Sequence, residues 1–377
     1  MLIAVDISNY WSIHYPVVLA LGTADDGHVG GITVLYGANA SGKTSLVRSL
    51  LAMRTLVVDS VTDMTLCKRI GDRYFRLATT TATQPITFAA VFQIDQVRYR
   101  YQFAVDHRTS TIGHERLTVM DGHREETLFD RHGRQIAVNR RSFQEGMEHK
   151  RHTRPDALFL SVVAEFGGHM ARQITRWFAG IDIHTEATID GMVRRTVKQP
   201  NLSDLHPLCI EVMRRLDLGT EIERIVSSPS DDARLSGGTH RLLRLVPSIV
   251  RVLTKGGILV VDDIDLRLHP NLLASLFGIF MHRDTNPHRA QLVATMHHVG
   301  LLPMLLRNGV AIRFVERSPD GSTTLRNGDI PGDCNDGLVD HYLAGHYGAV
   351  PKLGDIRSCF LDHATGTSGY GTDSASD

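Results

Sequence analysis

GITVLYGANASGKTSLVRSLL, residues 31–51, passes from a short apolar run through a glycine-bracketed loop into apolar residues at helical spacing. Residues 31–37 read as a buried β-strand, and Leu46, Val47, Leu50 and Leu51 recur at the period of a helix. Between them, G-A-N-A-S-G-K-T at 37–44 fits the phosphate-binding pattern G-x-x-x-x-G-K-[ST], in the strand–loop–helix order that its mechanism needs. Gly37 and Gly42 let the backbone curl, so that the N–H groups across Asn39, Ala40, Ser41, Gly42, Lys43, Thr44 and Ser45 face phosphate oxygens. The positive end of the helix dipole adds to the attraction. Lys43 is placed to reach β- and γ-phosphates, and the Thr44 hydroxyl to ligate Mg²⁺. This is a nucleotide site.

Downstream, I-L-V-V-D-D at 258–263 is an apolar strand that ends on two carboxylates. It delivers them to the C-terminal edge of the sheet, where open α/β sheets bind ligands. Asp262 is the candidate to hold Mg²⁺ through water, and Asp263 to polarise the attacking water. Such a strand also suits a plain turn; the phosphate loop upstream gives the pair its functional reading. L-S-G-G-T at 235–239, with Ser236 26 residues before Asp262, opens an amphipathic helix expected over 240–253. Ser236, Gly237 and Gly238 present a hydroxyl and free N–H groups at a helix N-terminus, a second anion-binding device. The same residues equally fit a simple N-cap.

At 377 residues and 42% hydrophobic, the chain is ordinary globular protein with room for two to three domains. Its 41 Lys and Arg balance 41 Asp and Glu, which argues against coating nucleic acid through bulk charge. A local basic stretch, RRSFQEGMEHKRHTRPD at 140–156, reads first as a solvated segment and second as a nucleic-acid contact. Cys67, Cys209, Cys334 and Cys359 are scattered without a C-x-x-C pair, so reduced thiols are expected. The N-terminal MLIAVDISNYWSIHY lacks a basic n-region and reads as a strand. No apolar run approaches the roughly 18 residues of a membrane span. A cytoplasmic protein without membrane contact is expected.

The expected class is α/β, a P-loop core interrupted between phosphate loop and L-S-G-G-T. Residues 1–85 form the first part of the core, and 86–140 an antiparallel β insert. Period-two alternation over ITFAAVFQID and VRYRYQFAVD, with a turn at Asp95–Gln96, supports that insert. Residues 141–230 read as a mainly helical lobe, 231–361 as the second part of the core, and 362–377 as a disordered polar tail. In the second part a helix is expected over 271–282, a strand over 290–298, and a hairpin over 310–325 closed at Asp320–Gly321.

Together the motifs resemble the ABC/SMC-type P-loop ATPases, and most closely the bacterial AAA-family ATP-binding proteins related to OLD-type and abortive-infection ATPases. The resemblance adds V-D-I-S-N-Y-W-S-I, R-Y-R-Y-Q-F-A-V-D, A-L-F-L-S-V-V-A-E-F, D-L-R-L-H-P (265–270), L-V-A-T-M-H-H and H-Y-L-A-G-H-Y-G-A-V-P (341–351) to the motifs above. It covers roughly residues 1–352. It implies ATP and Mg²⁺ as ligands. It also implies that L-S-G-G-T is a signature loop, covering the γ-phosphate held by another subunit. His297, 35 residues beyond Asp262, matches the switch histidine that senses the γ-phosphate, and D-L-R-L-H-P an interface loop.

Implied partners are a second copy, in a homodimer or higher homo-oligomer, and a separate effector, a nuclease or toxin, in bacterial phage defence. Two positions depart from the family: Asp263 stands where Glu is usual, one methylene short, and His298 where Asp is common. Slow turnover is the implication. The glutamine that couples metal to the inserted lobe has four candidates: Gln84, Gln93, Gln96 and Gln102. The alternative function is a DNA-repair-type ATPase that clamps nucleic acid on ATP binding, with 140–156 as its support. The nucleotide subunit of a membrane transporter fits less well, because the insertion is of the wrong sort.

Overall fold

The computed structural model describes residues 1–21, 31–121, 124–185, 206–218, 236–328, 337–351 and 354–364. The strands are β1 (Leu2–Ser8), β2 (Val17–Ala20), β3 (Ile32–Tyr36), β4 (Ile86–Ile94), β5 (Val97–Asp106), β6 (Thr111–Asp121) and β7 (Arg124–His132). They continue with β8 (Gln135–Val138), β9 (Ile181–His184), β10 (Ile258–Val261), β11 (Gln291–Met296), β12 (Ala311–Arg317) and β13 (Thr323–Asn327). The helices are α1 (Lys43–Asp59), α2 (Leu66–Gly71), α3 (Phe159–Glu165), α4 (His169–Ala179) and α5 (Pro207–Met213). After them come α6 (Gly237–Lys255), α7 (Pro270–Met281), α8 (Leu302–Arg307), α9 (Leu338–Leu343) and α10 (Ile356–Ala364).

The core sheet runs β13-β12-β3-β11-β10-β9, parallel except for the edge strand β13. Every residue of β3, β10 and β11 is buried, as expected of parallel strands covered on both faces. Alternate side chains supply two cores. Leu35, Val260, Val293 and Val315 face α1, whereas Val34, Tyr36, Leu259, Val261 and Phe314 join α6, α7 and α8 on the other side.

A seven-stranded antiparallel sheet, β2-β1-β4-β5-β6-β7-β8, covers α1 from outside. The expected insert over 86–140 is therefore continuous with the N-terminal strands, because β1 pairs with both β2 and β4. The turn between β4 and β5 places Asp95 at φ 52°, and that between β7 and β8 places Gly133 at φ 58°. Gln291 ties the two sheets together: its side-chain amide accepts from Leu2 N at 2.6 Å and donates to Leu2 O at 2.8 Å.

Within the expected helical lobe, α3 and α4 pack beside α1, but Ile181–His184 departs from that expectation. It is a strand, β9, paired in parallel with β10 at the edge of the core sheet. The order is long-range: four residues acquire a strand's hydrogen bonds only by meeting β10. Residues 186–205 and 219–230 of that lobe lie outside the described residues, as do 231–235 of the second part of the core and most of the expected tail. Helix α10 runs to Ala364, past the boundary expected at 362. Cys67 and Cys209 are free and buried. Among the described residues, no helix is long and apolar enough to cross a membrane.

Candidate functional site

β3 ends at Tyr36, and the chain turns through Gly37–Gly42 into α1. Neither glycine can be replaced without moving its neighbours. A Cβ on Gly37 would lie 2.3 Å from Val315 O, and one on Gly42, which sits at φ 110°, would lie 1.9 Å from Thr323 Oγ1. Two remote segments brace the loop from behind. The Thr323 hydroxyl donates to Ser41 O at 3.0 Å, and Thr323 N to Ser12 O at 2.7 Å. Ser12 Oγ donates to Ser45 Oγ at 2.8 Å and shares a hydrogen bond with Thr323 Oγ1 at 2.7 Å. Next to Ser12, the guanidinium groups of Arg48 and Arg73 each lie over the Trp11 ring, 4.8 and 4.9 Å from its centre.

Asn39 and Ala40 are exposed at the loop's tip, and Ala40 has φ 60°. Ser41 and Lys43 are buried, and Gly42, Thr44 and Ser45 half-buried. Lys43 Nζ donates to two carbonyls of its own loop, Gly37 O at 2.7 Å and Ala38 O at 2.9 Å. Burial pushes its ammonium's pKa down; the carboxylates of Asp263, Asp262 and Asp265 pull the other way. Ser41 Oγ is buried without a hydrogen-bond partner. An orphaned hydroxyl, a desolvated lysine and the unpaired first-turn N–H groups of α1 are the donor set that a nucleotide's phosphates require. The residues present fit that group.

The acidic pair follows β10. Strand β11 lies between β3 and β10, pairing Thr295 with Leu35 on one side and Ala294 with Val261 on the other. This register carries the fully buried Thr295 to the first residue past β10. Its hydroxyl lies 2.8 Å from Asp262 Oδ1 and 3.2 Å from Asp263 Oδ1, and accepts from Asp263 N at 2.6 Å. Burial, then repulsion from Asp263, raise the Asp262 carboxyl above the usual range, while hydrogen bonds from Thr295 and Thr44 oppose the rise. The link to Thr44 joins the two candidate Mg²⁺ ligands across the loop–strand gap.

Asp263 adopts φ 48°, a left-handed backbone that Asp tolerates better than most residues. Its Oδ1 lies 3.4 Å from His297 Nε2, and His297 is the main cause holding the Asp263 carboxyl below the usual range. Asp265 positions that histidine: its Oδ2 accepts from His297 N at 2.8 Å and His298 N at 2.7 Å. From α6, Arg241 donates to the carbonyls of Asp262 at 2.8 Å and Asp263 at 2.6 Å. The structure thus gathers Lys43, Thr44, Asp262, Asp263 and His297 at the C-terminal edge of three adjacent strands.

Ser236 stands apart from that group. It is the N-cap of α6, accepting from Thr239 N at 3.1 Å, and its hydroxyl also bonds Thr239 Oγ1 at 2.8 Å. Gly237 and Gly238 lie against Arg267 of the D-L-R-L-H-P loop. Added Cβ atoms there would come within 2.7 Å of Arg267 Nη1 and 2.8 Å of Arg267 O. Leu235 falls outside the described residues. Ser12, Arg241, Asp265, Thr295 and Thr323 hold the site without having been singled out from sequence. Thr295 alone left a local signal, a hydroxyl inside the apolar run Leu292–Met296, two residues before His297.

The family described as "AAA domain, putative AbiEii toxin, Type IV TA system" matches residues 32–302, more than two thirds of the chain. The chain belongs to that family of AAA domains. It is similar to the solved SMC head bound to the C-winged helix domain of ScpA, with 13% identity over 88% of this chain and 98% of that one, at a TM-score of 0.42. An ATP-binding cassette of an ABC transporter in its ADP conformation is 11% identical over 91% of this chain and 95% of that one, at a TM-score of 0.32. No curated protein matches by sequence.

Proposed function

We propose that the chain is an ATP-hydrolysing switch of which two copies close around two Mg-ATP molecules and reopen after hydrolysis to control a separate effector. The observation that carries this reading is the Thr295-centred cluster, which sets the Asp262–Asp263 pair and His297 opposite Lys43 and Thr44. In this reading Lys43 exchanges the carbonyls of Gly37 and Ala38 for β- and γ-phosphate oxygens. The loop amides from Asn39 to Ser45 cradle the phosphates. Thr44 and Asp262 hold Mg²⁺, which when bound neutralises phosphate charge. Asp263 orients and polarises the attacking water, and His297, paired with Asp263 at rest, senses the γ-phosphate. Ser236, Gly237 and Gly238 serve the phosphate of the other subunit.

The outward path runs through the end of α1. Ser161 Oγ donates to Val57 O at 2.7 Å, Leu158 N to Ser60 Oγ at 3.2 Å, and Arg154 to the carbonyls of Ser60 and Val61. A shift of α1 on nucleotide binding therefore reaches the α3 region directly. The family's description as a putative toxin of a type IV toxin–antitoxin system supports a bacterial defence setting; the separate effector, a nuclease or toxin, is part of our proposal. The test is phosphate release together with mass measurement in solution, with and without Mg-ATP. The expected result is a dimer that appears with ATP and dissipates as phosphate is released. A chain that releases no phosphate and keeps one mass throughout would overturn the proposal. Turnover stimulated by DNA in a salt-dependent manner would favour the nucleic-acid clamp instead.

A further inference from the structure

We propose that the outer face of the β6–β7 pair binds a divalent transition metal of the zinc class through His114, Asp130 and His132. The register creates this face. Glu115 pairs with Arg131 on the inner, buried side, so His114 opposite His132 and Arg116 opposite Asp130 share the outer one. His114 Nε2 lies 3.0 Å, and His132 Nε2 3.4 Å, from the same carboxylate oxygen, Asp130 Oδ1. All three ligand atoms fall within 4.8 Å of one another. A tetrahedral zinc with bonds of about 2.1 Å separates its ligand atoms by roughly 3.4 Å, so small side-chain rotations suffice.

The donor set selects the metal. Two imidazoles and one carboxylate suit zinc and its neighbours, whereas Mg²⁺ and Ca²⁺ prefer all-oxygen shells. Arg116 occupies the other oxygen, Asp130 Oδ2, and so turns Oδ1 toward the imidazoles, as outer partners orient a ligating carboxylate. Three protein ligands leave one coordination position open. The bound metal would cross-link β6 to β7, next to Glu115, whose carboxylate accepts from Phe159 N and Leu160 N at the start of α3. None of the three ligands belongs to the nucleotide site, so this metal is separate from the one Thr44 and Asp262 would hold.

The test uses the full chain, stripped with a chelator and free of nucleotide, titrated with Zn²⁺ against a chromophoric competitor. The wild type should take up one equivalent and melt at a higher temperature with Zn²⁺ than without it. His132→Ala should weaken uptake at least tenfold, and the His114→Ala/His132→Ala pair should abolish both the equivalent and the thermal shift. With Co²⁺ instead, the visible absorption of a four-coordinate site should appear in the wild type and vanish in the pair. His149→Ala/His152→Ala, on another segment, should retain all three signals. His132→Gln, at a side chain 68% exposed, provides a variant that folds whatever the fate of the pair, and should lose the same affinity. A wild type that takes up no Zn²⁺, or a His132→Gln variant that binds as tightly as the wild type, would overturn the proposal.

Discussion

One hydroxyl orders both carboxylates of the nucleotide edge: Thr295 reaches Asp262 and Asp263 and also receives the Asp263 amide. Thr295→Val keeps the shape and removes those bonds, which should cost about 1–3 kcal/mol at neutral pH. The pH dependence follows from Asp262, whose carboxyl is raised. Its contribution to stability is complete below the ordinary carboxylate range and is lost as pH rises through its elevated folded value. Thr295→Val removes a bond that favours the charged form, so the gap to wild type should narrow as pH falls toward about 4. Urea unfolding at both pH values measures it; a gap that widens in acid refutes the role given to Thr295.

At the same scale, Asp263→Asn is a clean probe, since Asn also tolerates the left-handed backbone at this position. It should bind ATP as wild type does and lose phosphate release by about 10²–10⁴-fold. Lys43→Ala should instead weaken ATP affinity at least tenfold, about 1.4 kcal/mol, by calorimetric titration with Mg²⁺ present. An Asn variant as fast as wild type removes Asp263 from the chemistry. A Lys43→Ala chain with undiminished affinity moves the nucleotide elsewhere.

Among elements, legibility followed sequence distance. β3, the phosphate loop, α1 and β10 could be read because their signals are contiguous: an apolar run, paired glycines, a helical period. The bracing of that loop could not, since Ser12 and Thr323 meet across 311 positions. β9 was hidden for the same reason, and the basic 140–156 stretch partly hid a structural role, because Arg154 spends its guanidinium on carbonyls after α1.

Glu115 is the strongest case of a polar residue whose meaning is entirely tertiary. It is fully buried, and its carboxylate accepts from Tyr101 OH, Phe159 N, Leu160 N and Arg131. Glu115→Gln leaves Arg131 without its counter-charge and turns an amide toward donors. It should cost about 3 kcal/mol. The urea midpoint reports this, and a change under about 0.5 kcal/mol would mean that the four carbonyls around Arg131 already satisfy it.

For the whole molecule, the question is whether Ser236 has any function besides capping. Its described hydrogen bonds lie within its own helix turn, while Gly237 packs against Arg267, an exposed residue of the 265–270 loop for which we propose a place at a subunit interface. A second copy related by a two-fold axis would bring this helix start to the other subunit's phosphate loop, and two such sites close symmetrically. Ser236→Arg should then bind ATP normally yet neither dimerise nor hydrolyse. Because the substitution also removes a cap worth about 1 kcal/mol, Ser236→Asp is the companion variant. Asp keeps the cap and sets a negative charge against the γ-phosphate, so it should melt like wild type and fail in the same way. Mixed with Lys43→Ala, either variant should regain at most one composite site per dimer, assembled from the intact half of each chain. Phosphate release followed against mixing ratio should therefore pass through a maximum between two inactive extremes. Wild-type turnover by Ser236→Arg alone would reduce L-S-G-G-T to a helix cap, and a flat mixing curve would mean that no site is shared between subunits.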